Sequence, residues 1–180
     1  SLKTAFKRTA IPEGGDEVLV EVGILRNQVS LCLDCCGAGL SRRGYRTYNV
    51  AAPLSETLGA GIVLLSRYRA DSSLIDPMCG SGTMPIEAAM IAQNIAPGLG
   101  RSFAAENWWF FDKGVWARER QNALDARTNQ KIDVRGFDID ERSIDLCKKH
   151  AKKAGAFCDW RVQNIKDISV PEQSRIIVCD

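Results

Sequence analysis

The run Asp76-Pro77-Met78-Cys79-Gly80-Ser81-Gly82-Thr83 constrains this chain more than any other, because it sets an acid and a two-glycine turn between two apolar segments. Leu74 and Ile75 precede it as a short apolar run, and Ile86, Ala89, Met90 and Ile91 follow at helical spacing. Glycine lets a backbone turn tightly and approach a ligand closely. The segment therefore predicts a strand, a ligand-binding turn and a helix N-terminus, the opening unit of an α/β fold.

Charge then selects the ligand. A helix N-terminus attracts anions, and a nucleotide pyrophosphate is the usual occupant of such a loop. Asp76 would repel it. The dinucleotide fingerprint also needs a third glycine three residues after Gly82, where Pro85 stands, and the Gly-Lys-Ser/Thr of a phosphate loop is absent. S-adenosylmethionine suits the site better, having an ammonium for the acid and a carboxylate for the N–H groups of the turn. Asp76, Met78, Cys79, Gly80, Ser81, Gly82 and Thr83 are accordingly the predicted cofactor loop; a plain tight turn is the alternative.

Downstream, Ile132 to Asp140 reads as a strand ending in an acid. In nucleotide-binding α/β units such an acid accepts hydrogen bonds from ribose hydroxyls, which makes Asp138 the candidate, with Ile139 covering the adenine face. An ordinary strand-end acid is the alternative. Asp140 is expected to cap the next helix, whose buried side would carry Ile144, Leu146, Cys147 and Ala151, with Lys148, Lys149, Lys152 and Lys153 in solvent. Trp160 to Asn164 reads as a third strand. Asn164 has two readings: an edge contact to adenine, or a loop residue satisfying its own backbone.

The remainder is organised around this core. Val18 to Val22 and Val29 to Leu33 flank Arg26-Asn27-Gln28 as a β-hairpin, and Ser55 to Arg69 reads as a helix capped by Ser55 that buries Leu58, Ile62 and Leu65. Strand and helix signals alternate from Leu74 onward, which predicts a parallel sheet. The aromatic stretch Trp108 to Phe111, with Trp116, serves either base stacking or a small satellite core.

At 180 residues and 45% hydrophobic content the chain can bury one core. No apolar run is long enough to span a membrane and no signal peptide opens the sequence, so a cytoplasmic protein is expected. The net charge of +2 does not itself point to nucleic acid. Local basic clusters exist at Lys3, Lys7 and Arg8, at Arg42, Arg43 and Arg46, and on the lysine-rich helix; each is either solvated charge or a phosphate contact. Seven cysteines, an odd number in a cytoplasmic setting, are expected as free buried thiols. Cys32 and Cys35 have zinc-knuckle spacing, but no second pair exists and His150 is the sole histidine, so no metal is expected. The same histidine, on the lysine-rich helix, is poorly placed to activate Cys79 as a nucleophile.

Gly44-Tyr45-Arg46, Ala52 to Leu58, Asp76 to Thr83, Ile86-Glu87-Ala88-Ala89 and Asn94-Ile95-Ala96-Pro97-Gly98-Leu99 occur in that order. Together they resemble the THUMP-linked class I RNA methyltransferases. That family includes enzymes acting on the exocyclic amine of a guanine in 23S ribosomal RNA, and many members were long labelled adenine-specific DNA methylases. The resemblance implies a Rossmann-like fold with a parallel-sheet core preceded by a β-hairpin, and S-adenosylmethionine contacts at Asp76, Cys79, Gly80, Gly82, Asp138 and Asn164, where the family usually has Asp. It places Pro53, within Ala52 to Glu56, beside the methionine end of the cofactor. The family's catalytic motif is Asn or Asp followed by Pro-Pro-Tyr at the end of the fourth strand, and Arg175 to Asp180 reads as that strand. Asp180 is the candidate catalytic residue. In the intact enzyme this group accepts hydrogen bonds from the target amine while an aromatic ring stacks on the extruded base.

Residues 1–16 are then a linker from an upstream THUMP-type domain, and residues 17–180 the N-terminal part of a methyltransferase domain stopping at its catalytic motif. The expected function is cofactor binding for an RNA methyltransferase, 23S ribosomal RNA guanine N2 being the favoured target, without methyl transfer by this portion alone. A non-catalytic α/β binding domain and a DNA adenine-N6 methyltransferase are the alternatives.

Overall fold

The computed structural model describes residues 2–5, 7, 9–10, 14–15, 17–46, 53–169 and 175–180. Arg8, Ala52 and much of the 1–16 linker lie outside the described residues. Two compact units are present, one comprising Ser1–Ala38 with Phe103–Lys113 and the other Gly39–Ser102 with Gly114–Asp180.

The first unit holds a single helical turn, α1 (Leu2–Ala5), and the antiparallel hairpin β1 (Val20–Leu25) and β2 (Gln28–Leu33). Arg26 and Asn27 take positive φ values of 50° and 61°, the left-handed pair that a two-residue hairpin turn requires. The register sets Val20 against Leu33, Val22 against Leu31 and Ile24 against Val29, so one face is wholly apolar, and all of these side chains are exposed. In the same unit Trp108 is 1% exposed, donates from Nε1 to the Glu17 carbonyl and packs on the rings of Phe110 and Phe111. Trp109, by contrast, is 86% exposed.

The second unit is built on a parallel four-stranded sheet of β3 (Ser73–Asp76), β4 (Asp133–Asp138), β5 (Asp159–Val162) and β6 (Arg175–Ile177), in the order β5-β4-β3-β6. Its helices are α2 (Glu56–Leu65), α3 (Thr83–Ala92), α4 (Lys113–Asp125) and α5 (Glu141–Ala154). α3 packs on β3, β4, α2 and α5, and from Thr83 to Met90 every residue is buried. It is apolar apart from Thr83 and Glu87, whose polar atoms are hydrogen-bonded, as such burial requires. The helix ends in a reciprocal cap: Asn94, at φ 51°, donates its N–H to Ile91, and Ile95 donates to Met90 at 2.8 Å. The Asn94 side chain adds a bond to the Ala126 carbonyl at 2.8 Å. α5 closes in the same way on Gly155 at φ 68°, and Asp140 caps its start by accepting from the Arg142 N–H.

The predicted helix over Ser55 to Arg69 is shorter than expected and turned. Ser55 caps it by accepting from the Leu58 N–H, but it stops at Leu65, and Leu58 and Leu65 are 55% and 84% exposed. The buried face instead carries Glu56, Gly59 and Val63. A Cβ at Gly59 would lie 2.9 Å from Thr83 Cγ2, so the close approach of α2 to α3 is made at the glycine and rotates the leucines outward. Ile91 is likewise exposed, whereas Ile86, Ala89 and Met90 are buried.

All seven cysteines are free, but only Cys79 and Cys147 are buried, while Cys32, Cys35 and Cys179 are exposed. Among the described residues no group of three potential metal ligands is found, and no helix is long and apolar enough to cross a membrane.

Candidate functional site

In the order β5-β4-β3-β6, successive strands leave β3 in opposite directions, so a crevice forms at the carboxyl ends of β3 and β6. Open α/β sheets bind ligands at such a switch point. A cleft of about 190 Å³ lies there. Of the residues expected from the sequence, Pro53, Asp76, Met78, Cys79, Gly80, Ser81, Thr83 and Asp180 line it, with Leu54 of the Ala52 to Glu56 segment, and Met84 joins them unforeseen. Gly82, Asp138, Ile139 and Asn164 lie outside that lining.

Asp76 ends β3 with 1% of its surface exposed, and its Oδ1 accepts the Met78 N–H at 3.2 Å. Burial pushes its carboxyl up to about 7, with Asp138 and Asp180 adding to the shift and the Met78 N–H opposing it. Among the described residues no lysine or arginine lines the cleft. The site thus favours a cation and disfavours a phosphate.

The turn itself is held from several sides. Cys79 donates its N–H to the Phe137 carbonyl at 2.8 Å, Gly82 donates to Cys79 at 2.8 Å, and Gly80 donates to Asp138 Oδ2 at 2.9 Å. The N–H groups of Cys79, Gly80 and Gly82 are therefore taken up by the protein, leaving fewer donors for a ligand carboxylate than the sequence suggested. Asp138 also accepts the Asp140 N–H through Oδ1 at 2.9 Å, yet each carboxylate oxygen keeps a further lone pair. Ile139 is 71% exposed. Asn164 accepts the Lys166 N–H at 3.0 Å and caps a short 3₁₀ turn, the backbone-satisfying role of its two readings.

Beneath the turn α5 supplies contacts that the sequence did not reveal. Cys147 Sγ lies 3.2 Å from the Gly80 carbonyl and 3.8 Å from Cys79 Sγ, and His150 Nδ1 lies 3.2 Å from the Ser81 carbonyl. His150 is 1% exposed, burial holds its ring below the ordinary imidazole range, and because a carbonyl can only accept, Nδ1 is the donor to it. Its position three residues after Cys147 places both on the buried face of α5, a signal masked by the surrounding lysines. Cys79 faces Cys147, and this sulfur contact together with burial pushes its thiol up, which disfavours the thiolate a nucleophile needs. Trp160 of β5 completes the underside: a Cβ at Gly82 would lie 2.8 Å from its ring and one at Gly136 only 2.4 Å.

A second set of contacts braces the cleft wall. Arg46 donates to the Leu54 carbonyl at 3.0 Å and to Thr83 Oγ1, tying the loop beside Pro53 to the first turn of α3. Farther along that helix the buried Glu87 accepts from Arg43 Nε at 2.8 Å and from the Tyr45 hydroxyl at 3.0 Å.

A parallel sheet with an acid-lined, glycine-turned cleft at its switch point defines a nucleotide-cofactor-binding α/β domain. The chain belongs to the RMKL-like methyltransferase domain family, UPF0020, whose model matches residues 43–180. It is 38% identical over 171 residues to YpsC of Bacillus subtilis, named provisionally as an RNA methyltransferase, covering 93% of this chain and 44% of that protein. It is also 38% identical over 172 residues to the ribosomal RNA large subunit methyltransferase K/L of Colwellia psychrerythraea, covering 91% of this chain and 24% of the relative. Among solved structures, SMU.472, described as a candidate methyltransferase complexed with SAH, superposes with a TM-score of 0.88 at 34% identity, over 99% of this chain and 48% of its own. The chain thus spans less than half the length of these relatives.

Proposed function

We propose that this chain is the S-adenosylmethionine-binding portion of an RNA methyltransferase whose intact form methylates an exocyclic base amine of ribosomal RNA, guanine N2 being the favoured acceptor. One observation carries the reading: a buried carboxylate, Asp76, on a cleft wall where, among the described residues, no lysine or arginine stands. The names of the two relatives and the SAH complex of SMU.472 support it.

In this reading Asp76 takes the cofactor's ammonium and Pro53 and Met78 border its methionine end. Gly80, Ser81, Gly82 and Thr83 shape the turn around it. Asp138 accepts from the ribose hydroxyls through its remaining lone pairs, and Ile139 covers the adenine face. Bound there, the cofactor supplies an electrophilic methyl group on a sulfonium centre. Asp180, across the cleft, accepts hydrogen bonds from the target amine and so orients the nitrogen lone pair, a positioning task that needs no strong base. We place the protein in the cytoplasm, with an upstream THUMP-type domain holding the RNA.

Isothermal calorimetry with S-adenosylmethionine and its demethylated product tests the reading. Binding that is lost in Asp76→Ala supports it, and absence of heat at millimolar ligand overturns it.

A further inference from the structure

Three basic segments far apart in sequence converge at the end of α3 remote from the cofactor turn. A cleft of about 210 Å³ there is bordered by Arg43, Arg127, Lys152 and Lys153, with Pro97 and Leu99 beside them. Among the described residues no carboxylate lines it. Arg43 is oriented by Glu87 at 2.8 Å, and Arg127 by donation to the Gly155 carbonyl at 3.0 Å, so these two guanidinium groups are held in place. Lys152 and Lys153 are exposed beside them. The C-terminal end of α5 accounts for the two lysines and, through the Gly155 carbonyl, for Arg127. Arg43 arrives from another segment, which that helix end does not explain.

We propose that this cleft binds phosphate groups of the substrate's phosphodiester backbone. The proposal rests on the nucleic-acid methyltransferase reading and deepens it by naming where the strand is anchored. α3 has ten residues, a length of about 15 Å at 1.5 Å per residue. The anchored phosphate is then about one length of α3 from the cofactor turn. Fixed arginines give such a site direction, and mobile lysines give it reach.

The test is fluorescence anisotropy of a labelled twelve-nucleotide single-stranded RNA with the full chain at several salt concentrations, alongside calorimetry with S-adenosylmethionine. For the double variant Lys152→Ala/Lys153→Ala we expect about a tenfold loss of RNA affinity. The slope of log affinity against log salt should become shallower by about 1.4, or about 0.7 per lost phosphate contact. The pair Lys148→Ala/Lys149→Ala removes equal charge from the same helix and should leave both unchanged. Equal losses in the two pairs, or no RNA binding by the parent chain, would overturn the proposal. Inorganic phosphate that displaces the RNA at equal phosphate concentration would also overturn it, by marking a site for the free anion. Cofactor heat unchanged in both variants separates failure here from failure of the methyltransferase reading, which would abolish that heat in the parent.

Discussion

Asp138 Oδ2 accepts the backbone N–H of Gly80 at 2.9 Å, so the terminal acid of β4 fixes the turn that follows its neighbour β3. One carboxylate thereby links two of the motifs on which the proposed cofactor site rests. Asp138→Ala removes the acceptors of both Gly80 and Asp140. It should lower stability by about 1–3 kcal/mol in urea denaturation and weaken S-adenosylmethionine binding at least tenfold. Asp138→Asn, which keeps an acceptor oxygen, should lose less of both.

The buried Asp76 makes a pH prediction with a definite sign. Its folded value of about 7 lies above the ordinary 3.8, so folding favours the protonated carboxyl. That contribution to the stability of the unliganded chain is complete below about 3.8 and is lost as pH rises through about 7. Asp76→Asn should therefore raise the unliganded Tm at pH 8 and have little effect at pH 4. In the proposed site the cofactor's ammonium pairs with the carboxylate, so the parent's affinity should fall as pH is lowered from 8 to 6, and an affinity flat across that range would contradict that contact.

Gly136 is a packing requirement. A methyl group there would lie 2.4 Å from the Trp160 ring and 3.1 Å from Cys79 Sγ. Gly136→Ala is expected to lose about 1–3 kcal/mol of stability by overpacking, read from the denaturation midpoint together with a shift in tryptophan emission.

Glu87 accepts from both Arg43 and Tyr45 while 2% exposed, and burial raises its carboxyl above the usual range despite the arginine. Glu87→Ala leaves a guanidinium and a phenol without their acceptor. A loss of about 3–5 kcal/mol is expected, whereas Glu87→Gln, which retains an oxygen for one of them, should lose markedly less in the same denaturation assay.

Much of the second unit was legible in the residues. The β3 acid, the two-glycine turn, the cap at Asp140 and the strands around Asp138 and Trp160 all follow from local patterns of apolar period, turn chemistry and capping. Less legible was the orientation of α2, because a hydrophobicity pattern turns leucines inward, while the contact with α3 is made at Gly59, where the absence of a side chain permits close approach. His150 stands on a lysine-rich helix where no local pattern marks it as buried, yet it lies beneath the two-glycine turn.

From residue order alone, the chain determined its local elements and an acid followed by a two-glycine turn, since these depend on neighbours within a few positions. Only the tertiary structure decided which groups meet: His150 and Cys147 under the Gly80 and Ser81 carbonyls, Trp160 across two glycines, and Arg43, Arg127, Lys152 and Lys153 around one cleft. Those meetings join segments tens of residues apart, and they arise because parallel strands joined by crossover helices bring distant stretches to the same sheet edge, a geometry that no short-range pattern encodes.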